Sequence, residues 1–385
     1  MPSRMGGEDL VNAAETAERL RNWALEAGFD RVGVARLGPV PRGGALLKWL
    51  ERGDHAGMSY LESRVEVRLD PRSAFEGARS AVCVALQYHP VAKGAPAGDL
   101  WPRVARYARG RDYHNVMTKR LRRLARRVRE AFPGCRTKPY VDTGPVLERD
   151  LAARAGLGAV GKNTLLLHPE AGSYFLLGEL LTSLDLAPDA PVADLCGSCS
   201  RCLEACPTGA LPAPYRLDSR RCISYWTIEH RGPIPRPMRA ELGDWVFGCD
   251  LCQEACPVNE APAATAETSF ELPAERSRLD LAALLAIAEE DYQEAFRGSP
   301  MKRSRRDGLR RNAAVAMGNR GEDRYVAPLA AALADGDPVI RSHAAWALAR
   351  IGGAEARRAL REARAGEGDP AVGEELERAL EAFDP

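Results

Sequence analysis

CGSCSRCLEACPTGA (residues 196–210) and GCDLCQEACPVN (residues 248–259) decide how this chain is read. The first run is Cys196-x2-Cys199-x2-Cys202-x3-Cys206, followed by Pro207. The second is Cys249-x2-Cys252-x3-Cys256, followed by Pro257, with Cys222 well upstream. Together they offer eight thiolates, enough for two 4Fe-4S clusters. In two-cluster ferredoxins the last cysteine of each run serves the other cluster. On that pattern Cys196, Cys199, Cys202 and Cys256 hold one cluster, and Cys206, Cys222, Cys249 and Cys252 hold the other. A symmetric second run would begin at Val246. Cys222 takes that role instead, so residues 223–248 form an insertion tied down at both ends. Structural zinc also uses Cys-x2-Cys pairs but has no need of the x3-Cys-Pro ending. Disulfides fit poorly, because nothing marks the chain as secreted. Cys83 and Cys135 read as core or incidental thiols.

The 385 residues suffice for two or three domains. A formal net charge of +1 creates no overall field toward nucleic acid, so local clusters of charge matter more. No apolar run is long enough to span a bilayer. The N-terminal stretch lacks the charged and apolar regions of a signal peptide. A cytoplasmic protein without a membrane partner is expected.

Working outward from the cysteines, RVGVARL, SAVCVALQY, TKPYVDTG and GSYFLLGELLTSLDL read as strands. Residues 15–27 and 117–132 carry helical apolar seams, the second through Met117, Leu121, Leu124 and Val128. ERDLAARAG reads as a helix closed by Gly156. Alternating strands and helices predict an α/β domain over residues 1–190. A ferredoxin-like two-cluster domain follows over 191–262, and an all-α HEAT-like repeat domain over 263–385. The repeat shows in the alignment of Asn312–Met317 with His343–Leu348, 31 residues on. Two such repeats bury too little alone and are expected to dock on the preceding domain.

Two clusters imply that single electrons move, and that something receives them. No G-x-G-x-x-G supports a dinucleotide, and GLGAVGKN (156–163) lacks the spacing of a phosphate loop. Flavin and corrinoid remain as one-electron partners. Asp112-Tyr113-His114 begins a D-x-H-x-x-G cobalt motif but does not complete it, since the Gly is missing, so His114 reads as a polar site residue. Asp142 ends the VDTG strand, a place where acids either cap turns or act in sites. Basic residues cluster along 119–129 and 302–311.

At this point the chain resembles the epoxyqueuosine reductase family. The resemblance runs over essentially the whole length. It rests on ARYARGRDYHNV (105–116), VDTGPVLERDLAARAGLGAVGKNTLLLHPEAGSYFLLGELLT (141–182), both cysteine runs, RCISYWTIEHRGPIP (221–235) and the helical tail. It implies cobalamin in the α/β domain, base-off and without a protein histidine on cobalt. Arg68, the backbone at Ala105, Asp142 and an apolar wall of Leu166 and Leu177 would face it, with Ser224 from the insertion. The substrate implied is a tRNA anticodon stem-loop bearing an epoxide on a cyclopentane ring. Two electrons and two protons convert the epoxide to the alkene of queuosine and release water. The resemblance makes Asp142 the proton donor, and such a donor needs a raised pKa. Arg149, His230 and Arg231 become candidate contacts near the base, and Arg305 and Arg306 candidate phosphate contacts. An external one-electron donor such as a flavodoxin or ferredoxin, and a monomer, are expected. The rivals are a dehalogenase-like cobalamin reductase of a small substrate and a non-catalytic electron carrier with a HEAT interaction tail.

Overall fold

The computed structural model describes residues 7–89, 102–273, 276 and 280–383, with the backbone alone for 7–11. All four expected strands form: Arg31–Arg36, Ser80–Gln87, Thr137–Tyr140 and Phe175–Thr182. They make one sheet, ordered Arg31–Arg36, Ser80–Gln87, Phe175–Thr182, Thr137–Tyr140. Every pairing in it is antiparallel. Helix and strand therefore mix as expected, but the sheet is not wound from parallel β-α-β units. The two central strands are buried at every position, so they read as continuous apolar runs whose direction no local pattern reveals.

Side chains alternate across the sheet. On one face Val82, Val84, Leu86, Leu176 and Leu180 pack against Leu20 and Ala24 of the helix Gly7–Glu26 and the predicted seam of Tyr113–Ala131. On the other face Ala81, Cys83, Phe175, Leu177 and Leu181 meet Leu151 and Ala152 of the helix Glu148–Arg154. Each buried leucine contributes about 1.5–3 kcal/mol against exposure. Asp112 starts the Tyr113–Ala131 helix by accepting the His114 backbone N–H at 3.0 Å.

The insertion 223–248 crosses to the helical tail. It runs as a π-helical turn at Tyr225–Glu229, a helix at Arg236–Glu241 and a strand at Trp245–Phe247 that pairs in parallel with Arg103–Val104. Gly248, at φ +68°, then delivers Cys249. A Cβ there would lie 2.6 Å from the Ala105 methyl, so this turn requires glycine.

The repeat helices Arg305–Arg320 and Pro338–Ile351 pack side by side, with the further helices Val326–Ala332, Gly353–Gly366 and Pro370–Glu381 around them. Their aligned residues Asn312 and His343 are both buried, and both hold the insertion. Asn312 Nδ2 donates to the carbonyls of Thr227 (2.9 Å) and Val246 (2.8 Å). His343 Nε2 accepts the Ile234 N–H at 3.1 Å, while Nδ1 faces the Val339 carbonyl at 2.7 Å. That pair of bonds needs a neutral ring, and burial keeps the pKa of His343 well below the usual imidazole range. Arg311, 2% exposed, donates to the carbonyls of Trp226, His230 and Gly232. Among the described residues no helix is long and apolar enough to cross a membrane.

Asn312→Ala leaves the Thr227 and Val246 carbonyls without their donor in a dry interface. We expect a loss of about 2 kcal/mol or more, read from urea unfolding. Amide exchange should quicken in 223–248 before it does in the central sheet.

Candidate active site

The eight cluster cysteines separate into the two predicted sets. Cys196, Cys199, Cys202 and Cys256 line a cavity of about 60 Å³. Cys206, Cys222, Cys249 and Cys252 form one wall of a larger cavity of about 490 Å³. No cysteine among the described residues is in a disulfide. Burial, aided by neighbouring thiols, raises Cys222 and Cys252 and pushes Cys249 up to about 12. Thiols raised in this way do not ionise together unless a cationic centre takes their protons' place, which is what iron does on binding. Cys83 is a wholly buried core thiol, as expected.

The GLGAVGKN turn, although no phosphate loop, runs between the two sets. The Lys162 N–H lies 3.3 Å from Cys196 Sγ, and its Nζ donates to the carbonyls of Gly197 (2.7 Å) and Cys199 (2.8 Å). Asn163 donates to the Cys252 carbonyl at 3.3 Å and borders both cavities. Ala210 N–H reaches Cys206 Sγ at 3.3 Å. Hydrogen bonds to cluster sulfurs shift reduction potentials.

Across the larger cavity from the thiols stands Asp142, where the Thr137–Tyr140 strand ends. Its backbone is left-handed at φ +54°, a conformation an aspartate tolerates at modest cost. The side chain is half exposed at the cavity mouth. His114 Nε2 lies 3.0 Å from Asp142 Oδ2, and His114 Nδ1 lies 2.7 Å from Asp112 Oδ1. Two carboxylates facing both ring nitrogens require both to be donors, so the ring is an imidazolium. Burial alone would lower His114, but the two carboxylates outweigh it and raise the pKa to about 9. Burial alone would raise Asp142, but His114, Tyr113 and Arg303 hold it below the usual carboxylate range. This corrects the expectation of a protonated Asp142. Its neighbour carries the proton, a fact invisible without the 28-residue contact between them.

Leu166, Leu177, Ser224 and Arg149 line the same cavity, with Phe175 and Leu176 completing an apolar wall. Arg68 and Ala105 lie outside its lining. Arg68 is buried on the helix Val65–Leu69 with Nε lacking a hydrogen-bond partner, beside Tyr60. Ala105 donates its N–H to the Phe247 carbonyl at 2.8 Å. Tyr60 and Glu229, neither of them anticipated, form a rim near Asp142 with Arg303 of the 302–311 basic cluster. Arg303 grips Glu229 through two bonds of 3.0 and 2.7 Å and lies over the Tyr60 ring.

The candidate RNA contacts divide. Arg305 is exposed, and no carboxylate among the described residues pairs with it. Arg306 meets Glu289 at 3.4 Å. Arg231 bridges to the carbonyls of Ile228 and Ser304, and His230 faces the Pro233 carbonyl. Arg149 donates to the Thr164 carbonyl. On the 113–131 helix, Arg120 pairs with Glu267 and Arg127 with Glu26, so much of that basic stripe is engaged within the fold.

Comparison with known proteins follows the same outline. A family model described as epoxyqueuosine reductase matches residues 68–143, one for a 4Fe-4S double cluster binding domain matches 195–259, and one for HEAT repeats matches 301–381. The epoxyqueuosine reductase of Alicycliphilus denitrificans is 38% identical over 362 residues, covering 89% of this chain and 99% of the relative. That of Escherichia coli is 37% identical over 340 residues, covering 87% and 89%. A crystal structure of epoxyqueuosine reductase with an epoxyqueuosine-modified tRNA-Tyr stem loop superposes with a TM-score of 0.90 at 32% identity, covering 96% of this chain and 99% of that one. A structure from Bacillus subtilis, with an aspartate-bearing catalytic loop swung out of the active site, superposes at 0.89 with the same identity and coverage.

Two measurements check the site. Cys222→Ala should lower iron in reconstituted protein from about eight to about four per chain. The raised His114 pKa stabilises the fold fully below the free imidazole value of about 6.5, and this contribution fades as pH rises through about 9. The stability gap between the parent and His114→Gln should therefore narrow over that window.

Proposed function

The chain belongs to the epoxyqueuosine reductase family and reduces epoxyqueuosine to queuosine; from that premise we propose that the reaction occurs in the cavity between Asp142 and the Cys206 set, with cobalamin bound there and a tRNA anticodon stem-loop carrying the substrate. The observation that carries this reading is the cavity itself, which joins a wall of cluster thiols, an apolar wall and the His114–Asp142 pair.

The residues fit a corrin. Leu166, Leu176 and Leu177 offer it an apolar surface, and Ser224 and Asn163 offer polar edges. Arg68 keeps a buried donor without a partner for the same group, and Ala105 acts through the backbone that positions Cys249. Bound there, cobalamin supplies the reducing chemistry at the epoxide carbon. The Cys206 set faces this cavity. The Cys196 set carries the exposed residues Gly197 and Ser198 on its loop, so electrons from an external donor such as a flavodoxin or ferredoxin enter on that side. The chain acts as a monomer.

The proton side belongs to the chain's own residues. Opening the epoxide leaves an alkoxide. Asp142 stands between His114 and the cavity, so the proton passes from His114 Nε2 to Asp142 Oδ2 and on to that oxygen. Asp112 keeps the ring oriented and charged until then. Arg149 and the Tyr60–Arg303 rim border the path of the flipped base, and Arg305 meets backbone phosphate.

Asp142→Asn should cut turnover of an epoxyqueuosine-modified stem-loop, with dithionite as reductant, by about 100-fold or more. Stem-loop affinity and the cluster absorbance should stay those of the parent; turnover within a few-fold of the parent would remove Asp142 from the proton path. Arg305→Ala should weaken stem-loop binding and reduce its salt slope by about one. Arg306→Ala should do less, because Glu289 already holds that side chain.

A further inference from the structure

Asp142 is the tip of a larger group of acids. Glu148 opens the next helix and lines the same cavity, with its carboxyl toward the Asp142 backbone N–H. Glu179 lies behind, in the middle of the Phe175–Thr182 strand. It shares a sheet face with Phe175 and Leu177, which also line the cavity. Glu179 is 0% exposed, and neither carboxyl oxygen has a hydrogen-bond partner. Among the described residues no salt bridge reaches either glutamate. Glu179, buried with neither cation nor donor, keeps its proton.

The reaction's balance asks for such a group. Epoxide, two electrons and two protons give alkene and water. The electrons come from the clusters and their one-electron donor. Both protons finish on the same oxygen: the first on the alkoxide, the second as the hydroxyl departs and the carbon–carbon double bond closes. The His114–Asp142 pair has one proton to give, that on Nε2; the Nδ1 proton faces Asp112, away from Asp142.

We propose that Glu148 supplies the second proton, to the hydroxyl as it leaves the ring. This rests on the functional reading above and extends it to a residue beside Asp142. After transfer the new carboxylate is met by Arg149 and the Asp142 N–H, while Glu179 remains as the neutral acid next in line. The groups around the pair are Asp142, His114, Arg149, Tyr140, Cys83 and Arg154. Burial, with the nearby Asp142 charge, raises Glu148 to about 7, and burial lifts Glu179 well above the usual range. Two acids lining the cavity thus titrate near neutrality, Glu148 at about 7 beside Asp142 and Asp250, pushed up to about 6 by burial, beside the thiols.

The test is single turnover of an epoxyqueuosine-modified stem-loop by the dithionite-reduced holoenzyme between pH 6 and 10. In the parent, the rate should fall above about 7 through Glu148 and more steeply above about 9 through His114. Glu148→Gln should be about 100-fold slower at low pH and lose the lower limb. Glu148→Asp should recover a limb. Infrared difference spectra of the cofactor-free parent should show a carboxyl band that ionises near pH 7, and Glu148→Gln should lack that band while keeping the lower one of Asp250. A Glu148→Gln rate within twofold of the parent, with the lower limb intact, overturns the proposal. So does a parent with neither the limb nor the infrared band, even where the variant fails to fold. A parent that shows the band but leaves the stem-loop unconverted overturns instead the functional reading on which the proposal stands.

Discussion

The controlling constraint is the burial of eight thiols in two quartets, each quartet drawn from both cysteine runs. Burial raises Cys202, Cys222, Cys249, Cys252 and Cys256, which therefore favour the protonated form until a cationic centre binds. With iron, each quartet becomes a cross-link between residues 196–206 and 249–256. Folding of this region and cluster assembly are then linked equilibria. The crossover matters because it forces the two runs to pack face to face, and the short helices Arg201–Glu204 and Leu251–Glu254 do so.

That cross-link also fixes the insertion. Residues 223–248 leave from Cys222 and return to Cys249, both of the same quartet. In between, the segment receives Asn312, Arg311 and His343 from the tail and pairs Trp245–Phe247 with Arg103–Val104. The tail reaches the chemistry through this segment and through Arg303, whose charge acts on Asp142 at the cavity rim. Its aligned repeat positions carry polar residues whose bonds go to insertion carbonyls and N–H groups. A helical repeat that merely stacked would bury apolar residues there.

On the other side of the cavity, charge pairing decides which acid carries a proton. Asp142 has an imidazolium neighbour and is ionised. Glu148 and Glu179 have no cation bonded to them, and their protons stay. Three carboxyls of similar intrinsic acidity are thereby separated into one base and two acids by burial and by the charges beside them.

Legible along the chain alone were the grouping of the eight cysteines into two fours, the four strands, the main helices and the repeat. Metal-ligand spacing and apolar periodicity are properties of short stretches, and short stretches are all that a linear reading sees. Glu179 inside the apolar run FLLGELLT passed unremarked in the linear reading, and its burial without a partner emerged only on folding. Only the tertiary structure decided the antiparallel order of the sheet, because two fully buried central strands carry no record of direction. It alone showed that GLGAVGKN runs between the two cysteine sets and that Arg120, Arg123 and Arg127 of the basic helix meet partners from distant segments. It moved the proton from Asp142 to His114. Protonation follows from which charges end up within a few ångströms, and the chain does not specify that until it has folded.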